Sequence, residues 1–208
     1  MKHKVTLPLK NRNRGILIND LRKMGLSLGN AEQTCLQAAL ISEDMVNKAY
    51  AYMQKALGVR RSRWKNNFNN NALLKEWFGT VDSKSQAQKV ENRMRKAKKR
   101  IKKGLTLKMR PQKEMPGTSR NHGSFASPRS FRVFPALFTH KTNGRIDPEK
   151  IAAVFIHEVM HVWFNDQKHN GTKVNEDTAD DLASSNPQSA RKSPENYEQF
   201  SRAVWGLP

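Results

Sequence analysis

Two histidines and a glutamate in the run Ile156-His157-Glu158-Val159-Met160-His161 hold the most concentrated chemistry of this chain, in the spacing HExxH. On an α-helix, residues four apart lie one turn apart on the same face. His157 and His161 can therefore offer both imidazoles to one metal ion, with Glu158 beside it. Zinc suits such a pair. Three protein ligands leave an open position for a water whose pKa falls towards neutrality, and a carboxylate such as Glu158 then takes its proton as general base. The reaction implied is hydrolysis of a peptide bond, with a protein or peptide as substrate.

The elements that must position these groups are legible around them. Asp147-Pro148 supplies an N-cap and a first-turn proline, and Ile151 to Phe164 then reads as a largely buried helix. Among Val154, Phe155, Ile156, Val159, Met160 and Val162, two histidines and a glutamate are costly to bury unless something binds them. The plainer alternative is a pair of hydrogen-bonded core histidines. Two histidines do not complete a catalytic zinc site, so a third ligand must follow His161; candidates cluster in Gly171 to Asp181, where Glu176, Asp177, Asp180 and Asp181 stand. Ahead of the helix, Leu105 to Met109 and Phe131-Arg132-Val133-Phe134 read as strands. The second is expected along the cleft edge, where it can pair with extended substrate backbone.

Earlier in the chain, residues 1 to 29 show weak periodicity and many basic and glycine positions, which predicts a loosely packed extension. Asn30 with Gln33 forms a capping-box-like start to a long amphipathic helix carrying Cys35, Leu36, Ala39, Val46, Ala49 and Met53 and ending at Gly58. Arg60 to Asn71 reads as a polar connection, followed by a short helix through Leu73, Leu74, Trp77 and Phe78. Ser83 and Gln86 open the next helix, with Val90, Met94, Ala97 and Ile101 as a core stripe. Its other faces carry Lys89, Arg93, Arg95, Lys96, Lys98, Lys99, Arg100, Lys102 and Lys103.

The formal charge is +20 over 208 residues. From Ile146 onward ten acids face six Lys or Arg, a net of −4, so the first 145 residues carry +24. Such a field favours anionic partners: nucleic acid, an acidic protein or a membrane surface. No aromatic residues interleave with the charges of the basic helix, so nucleic-acid binding rests on charge alone, and a solvated lysine-rich surface explains it as well. One cysteine excludes an intrachain disulfide and a cysteine zinc site. No segment reads as a membrane span. The start, Met1-Lys2-His3-Lys4, lacks the apolar stretch of a signal peptide, so the expectation is a protein cytoplasmic in its producer and exported, if at all, by a specialised secretion system.

From the motif onward the chain resembles the deuterolysin and lysine-specific metalloendopeptidase family, the aspzincins, in which HExxH is followed by a Gly-Thr motif and a ligand aspartate. Gly171-Thr172, Leu182-Ala183-Ser184-Ser185-Asn186-Pro187, Ala190 and Asn196-Tyr197-Glu198-Gln199-Phe200 carry the likeness, with Trp77-Phe78-Gly79 and the strand Phe131 to Phe134 upstream. It spans about residues 30 to 200. Where the family has its aspartate this chain has Val174; matching the Asp-x-Ala portion instead selects Asp177-Thr178-Ala179. A competing match, to the gluzincin helix in which a glutamate binds zinc, selects Glu176, which in helical register shares a face with Ala179 and Ala183. Both stay open. The family tyrosine thought to stabilise the oxyanion falls at Asp180, which cannot do so while ionised, and Tyr197 or an unassigned basic residue is the candidate substitute. In lysine-specific members an acidic pocket receives the substrate lysine; Glu195 and Glu198 fall at the matching positions.

These readings combine into an α+β, zincin-like metallopeptidase, mostly helical with a small antiparallel sheet and an HExxH active-site helix. Its expected organisation is a basic N-terminal extension, 1–29, and a catalytic domain, 30–208. The resemblance implies a zinc endopeptidase cutting proteins at the amino side of lysine. A small disulfide-free relative also resembles the catalytic modules of bacterial toxins, which implies an effector with an immunity or inhibitor protein as partner. The rival class is a non-enzymatic basic module that binds nucleic acid or protein and keeps a relic metal site.

Overall fold

The computed structural model describes residues 2–115, 123–126, 131–164 and 178–207. In chain order its elements are β1 (Lys4–Thr6), α1 (Asn11–Lys23), α2 (Leu28–Leu57), α3 (Trp64–Asn70), α4 (Ala72–Phe78), α5 (Lys84–Lys102), β2 (Thr106–Met109), β3 (Ser124–Ala126), β4 (Phe131–Val133), β5 (Lys141–Thr142), β6 (Arg145–Ile146), α6 (Pro148–Phe164), α7 (Ala179–Ser185), α8 (Pro187–Ala190) and α9 (Pro194–Trp205). Helices dominate, as the periodicity predicts. Among the described residues none is long and apolar enough to cross a membrane. The chain divides into two units, Met1–Glu43 with Arg100–Val162, and Asp44–Lys99 with Trp163–Pro208.

In the first unit the main sheet has the order β1-β2-β4-β3. It is mixed, not antiparallel as expected: β1 runs parallel to β2 with Val5 opposite Leu107, β2 parallel to β4 with Lys108 opposite Arg132, and only β3 and β4 are antiparallel. Parallel neighbours come from distant stretches of chain, so no local turn signal betrays them. The sheet order also corrects the expected cleft-edge strand. Phe131–Val133 is paired on both sides, and the edges belong to Lys4–Thr6 and Ser124–Ala126.

The N-terminal residues are built into this unit. Leu105 N donates to His3 Nδ1 at 3.0 Å, which leaves the ring hydrogen on Nε2, 3.2 Å from Glu43 Oε2. Lys2 Nζ donates to the other oxygen of Glu43 at 2.6 Å, and Leu17 and Leu21 of α1 are fully buried. Their contribution escapes a composition argument because short basic segments bury only a few apolar residues each. The start of α2 also differs from expectation, since Ser27 Oγ accepts from Asn30 N at 3.1 Å and Ser27 is the capping side chain. Lone Cys35 is buried, which pushes its thiol up to about 12 and keeps it an inert core residue.

The second unit holds a helix that sequence periodicity missed. Asparagine is a weak helix former, yet α3 forms because Trp64 and Phe68, one turn apart, bury their rings and the asparagines tie off backbone. Asn67 Nδ2 donates to Leu57 O at 2.7 Å, Asn69 both donates to and accepts from the backbone of Val81, and Asn71 Oδ1 caps α4 at Leu74 N. Gly79, at φ 65°, ends α4 against Ala183 O and Pro187, where any Cβ would collide with both. The α5 stripe of Val90, Met94, Ala97 and Ile101 is fully buried, as its spacing predicts.

Candidate metal centre

The motif helix begins at Asp147, whose Oδ1 accepts from Glu149 N at 2.9 Å and Lys150 N at 3.3 Å while Thr142 Oγ1 donates to Oδ2 at 2.5 Å. Burial pushes this carboxyl up, but the Thr142 hydroxyl, the two backbone amides and the Lys150 charge outweigh it and hold it below its ordinary range. Thr142 is brought there by the β5-β6 hairpin, whose Asn143-Gly144 turn takes positive φ at both positions. A carboxyl lowered by folding stabilises the fold above its unfolded pKa and loses that contribution as pH falls through the folded value. Asp147→Ala is expected to cost about 1 kcal/mol near neutrality. Denaturation midpoints measured across pH should show the difference from wild type shrinking below pH 3.8.

Residues Ile151 to Met160 are buried without interruption, and Phe155 meets Phe131 of β4 edge to face at 4.9 Å between ring centres. The sheet thus fixes α6 through its apolar side. His157 is wholly buried and Glu158 only 5% exposed, while His161 is half-buried. The two Nε2 atoms lie 3.0 Å apart with the rings tilted by 66°. Two zinc-bound imidazole nitrogens in a tetrahedral arrangement stand about 3.3 Å apart, given Zn–N bonds of ~2.0–2.1 Å. The pair as folded is therefore close to a zinc-binding geometry, and its donor atoms are of the type zinc prefers. One residue round the helix, Glu158 supplies the nearby carboxylate.

The model of the lysine-specific metallo-endopeptidases matches residues 63–202. The chain belongs to the aspzincin family. Among curated proteins no sequence matches it significantly. Among solved structures, a zinc peptidase from Grifola frondosa resembles it with a TM-score of 0.59 at 16% identity, over 85% of this chain and 96% of that one. That likeness supports the aspzincin fold. As an aspzincin, the protein is a zinc metalloendopeptidase acting on protein or peptide substrates, and the non-enzymatic reading gives way to this one.

Of the other expected site residues, Glu176 and Asp177 lie outside the described residues. Thr178, just after them, has φ −125° and ψ 3°, and α7 starts only at Ala179. Asp180 and Asp181 are exposed on the first turn of α7. Glu195 and Glu198 are buried, 2% and 3% exposed, near the start of α9, and Gln199 Nε2 donates to Glu195 at 3.1 Å. Tyr197, the candidate oxyanion donor, lies in the core of the second unit. Its ring is fully buried 4.7 Å from Phe78, and its hydroxyl donates to Arg191 O at 3.1 Å; burial pushes that hydroxyl up to about 12.

Asn196 enters the sequence reading only as part of the family likeness, with no role assigned to it. Fully buried in α9, its amide donates to Trp77 O at 2.8 Å and to Ala179 O at 2.6 Å. It thereby binds the end of α4 to the first turn of α7, immediately after Glu176 and Asp177. An asparagine in the first turn after Ser193-Pro194, three residues from Gln199 and four from Phe200, was the available signal.

Proposed function

We propose that this aspzincin cleaves proteins at the amino side of lysine, with Glu158 as general base, His157 and His161 as two zinc ligands and Asp177 as the third. The observation that carries the reading is the convergence of the two Nε2 atoms at 3.0 Å beside a buried glutamate on a sheet-anchored helix. Bound there, zinc would polarise the scissile carbonyl and acidify the attacking water. Glu158 takes up the proton as the C–O bond forms and returns it to the leaving amine as the C–N bond breaks. The outer edge of β3 offers backbone groups to which an extended substrate can add as a further strand.

Glu176 is the alternative third ligand, because the gluzincin-like match selects it. Asp177→Ala and Glu176→Ala form a matched pair, and zinc titration against a competing chelator should show a large loss of affinity in the first and little change in the second. The opposite order would transfer the role to Glu176. Loss in neither would direct the search to Asp180 and Asp181.

Lysine preference rests on Glu195 and Glu198, three apart on one face of α9 and both withdrawn from water. Carboxylates held in such surroundings gain a charge-assisted bond from an ammonium and penalise neutral side chains. Mapped cleavage of a mixed protein substrate should show lysine enriched on the carboxyl side of the cut. Replacing both glutamates by Gln should flatten that preference with zinc content unchanged. A wild-type map without lysine enrichment rejects the specificity and leaves the peptidase assignment intact. The wider role we assign is that of a delivered effector neutralised in its producer by an immunity protein, a reading supported by the small catalytic module with its single buried cysteine.

A further inference from the structure

Within the second unit, α5 and the turn after α8 enclose a concavity of 540 Å³. Four cationic side chains line it, Lys89 and Arg93 from α5 with Arg191 and Lys192 after α8, against one carboxylate, Asp82, a balance of +3. Arg191 forms a fixed floor: it is 8% exposed, and its Nη1 donates to Thr80 O at 2.6 Å and to Phe78 O at 3.4 Å. Arg93 in turn donates through Nη1 to Arg191 O, so both guanidinium groups donate to backbone carbonyls, which carry no net charge. Lys89 and Lys192 stand exposed at the rim.

Structural arginines normally bury their charge against a carboxylate, because an uncompensated ion is costly away from water. Here, among the described residues, no carboxylate lies within ion-pair distance of Arg191, Lys89 or Lys192. Asp82 is turned to Gln86, whose Nε2 donates to it at 3.4 Å. Burial and the charge of Arg93 both weaken Arg191's hold on its proton, with Asp82 and Tyr197 opposing them.

We propose that this concavity, lined by none of the residues assigned to the peptidase reaction, is a binding site for a small polyanion bearing phosphate groups. A single carboxylate would leave most of the positive charge unmatched. Two phosphate groups would balance it, and guanidinium forks match the tetrahedral oxyanion in geometry. The pinned Arg191 needs no reordering to receive the ligand, so little entropy is lost there on binding.

The zinc-loaded full chain should be titrated calorimetrically with fructose 1,6-bisphosphate at about 150 mM salt, where distant surface charges are largely screened, with zinc content measured before and after. The expected result is saturable binding of one ligand per chain. Affinity should fall by about tenfold or more in the variant Lys89→Gln with Lys192→Gln, which removes two charge-assisted contacts. It should hold in Lys102→Gln with Lys103→Gln, which removes the same charge from exposed positions outside the pocket. Absence of saturable binding in wild type, or equal losses in the two variants, overturns the proposal, the latter by showing that only the general basic field attracts the anion.

Discussion

Glu158→Gln should leave zinc in place and abolish nearly all hydrolysis. The amide matches the carboxylate in size and fits the same buried position on α6, where Glu158 is only 5% exposed. It cannot accept a proton from the attacking water. General-base catalysis commonly contributes on the order of 10²–10⁴ in rate, so turnover of a protein substrate should fall by at least that range while the metal content stays near one zinc per chain. If the effector role is right, the same substitution also abolishes toxicity when the chain is expressed in recipient cells. Retained turnover with zinc bound would falsify the role of Glu158 and pass the proton to another group, whereas lost zinc would show that the substitution disturbs the centre itself.

Loss of either imidazole should have the larger effect on the metal. His157→Ala and His161→Ala each remove one of two nitrogens that α6 holds 3.0 Å apart, and one histidine with one acid cannot supply the three ligands a catalytic zinc needs. Removing a residue that merely supports a ligand costs roughly 10–100-fold in metal affinity, so removing a ligand should exceed that, and hydrolysis should vanish with the zinc. Zinc titration and cleavage assays on the same preparations test this. Normal zinc content in either variant would locate the ion elsewhere. The two variants need not be equal in stability: His157 is fully buried and leaves a cavity on truncation, whereas His161 is half-buried.

The most legible part of the centre was the part written locally. HExxH is a helical spacing, its cap Asp147-Pro148 stands at the expected distance, and the apolar run from Ile151 announces a buried helix. The α5 core stripe was readable for the same reason. The third ligand was not. Glu176 and Asp177 are adjacent, so sequence offers both, and which one turns inward depends on tertiary geometry rather than on local spacing. The family's tyrosine position falls on Asp180, so Tyr197 stood only as a substitute, and it packs against Phe78 with its hydroxyl on Arg191 O.

By itself, the sequence determined that this protein has a buried helix carrying His157, Glu158 and His161, a mostly helical body and a strongly basic first part, because periodicity, capping and charge are properties of short stretches. Tertiary structure alone decided the rest. It made the N-terminal residues part of a sheet, since β1 finds its partner β2 about 100 residues away. It placed Phe131–Val133 inside the sheet and Ser124–Ala126 at its edge, because strand order depends on which distant segments pair. It also turned weak helix-forming asparagines into α3 and gathered Lys89, Arg93, Arg191 and Lys192 around one concavity. In each case the deciding energy comes from contacts between segments far apart in the chain, which leave no pattern in any local window.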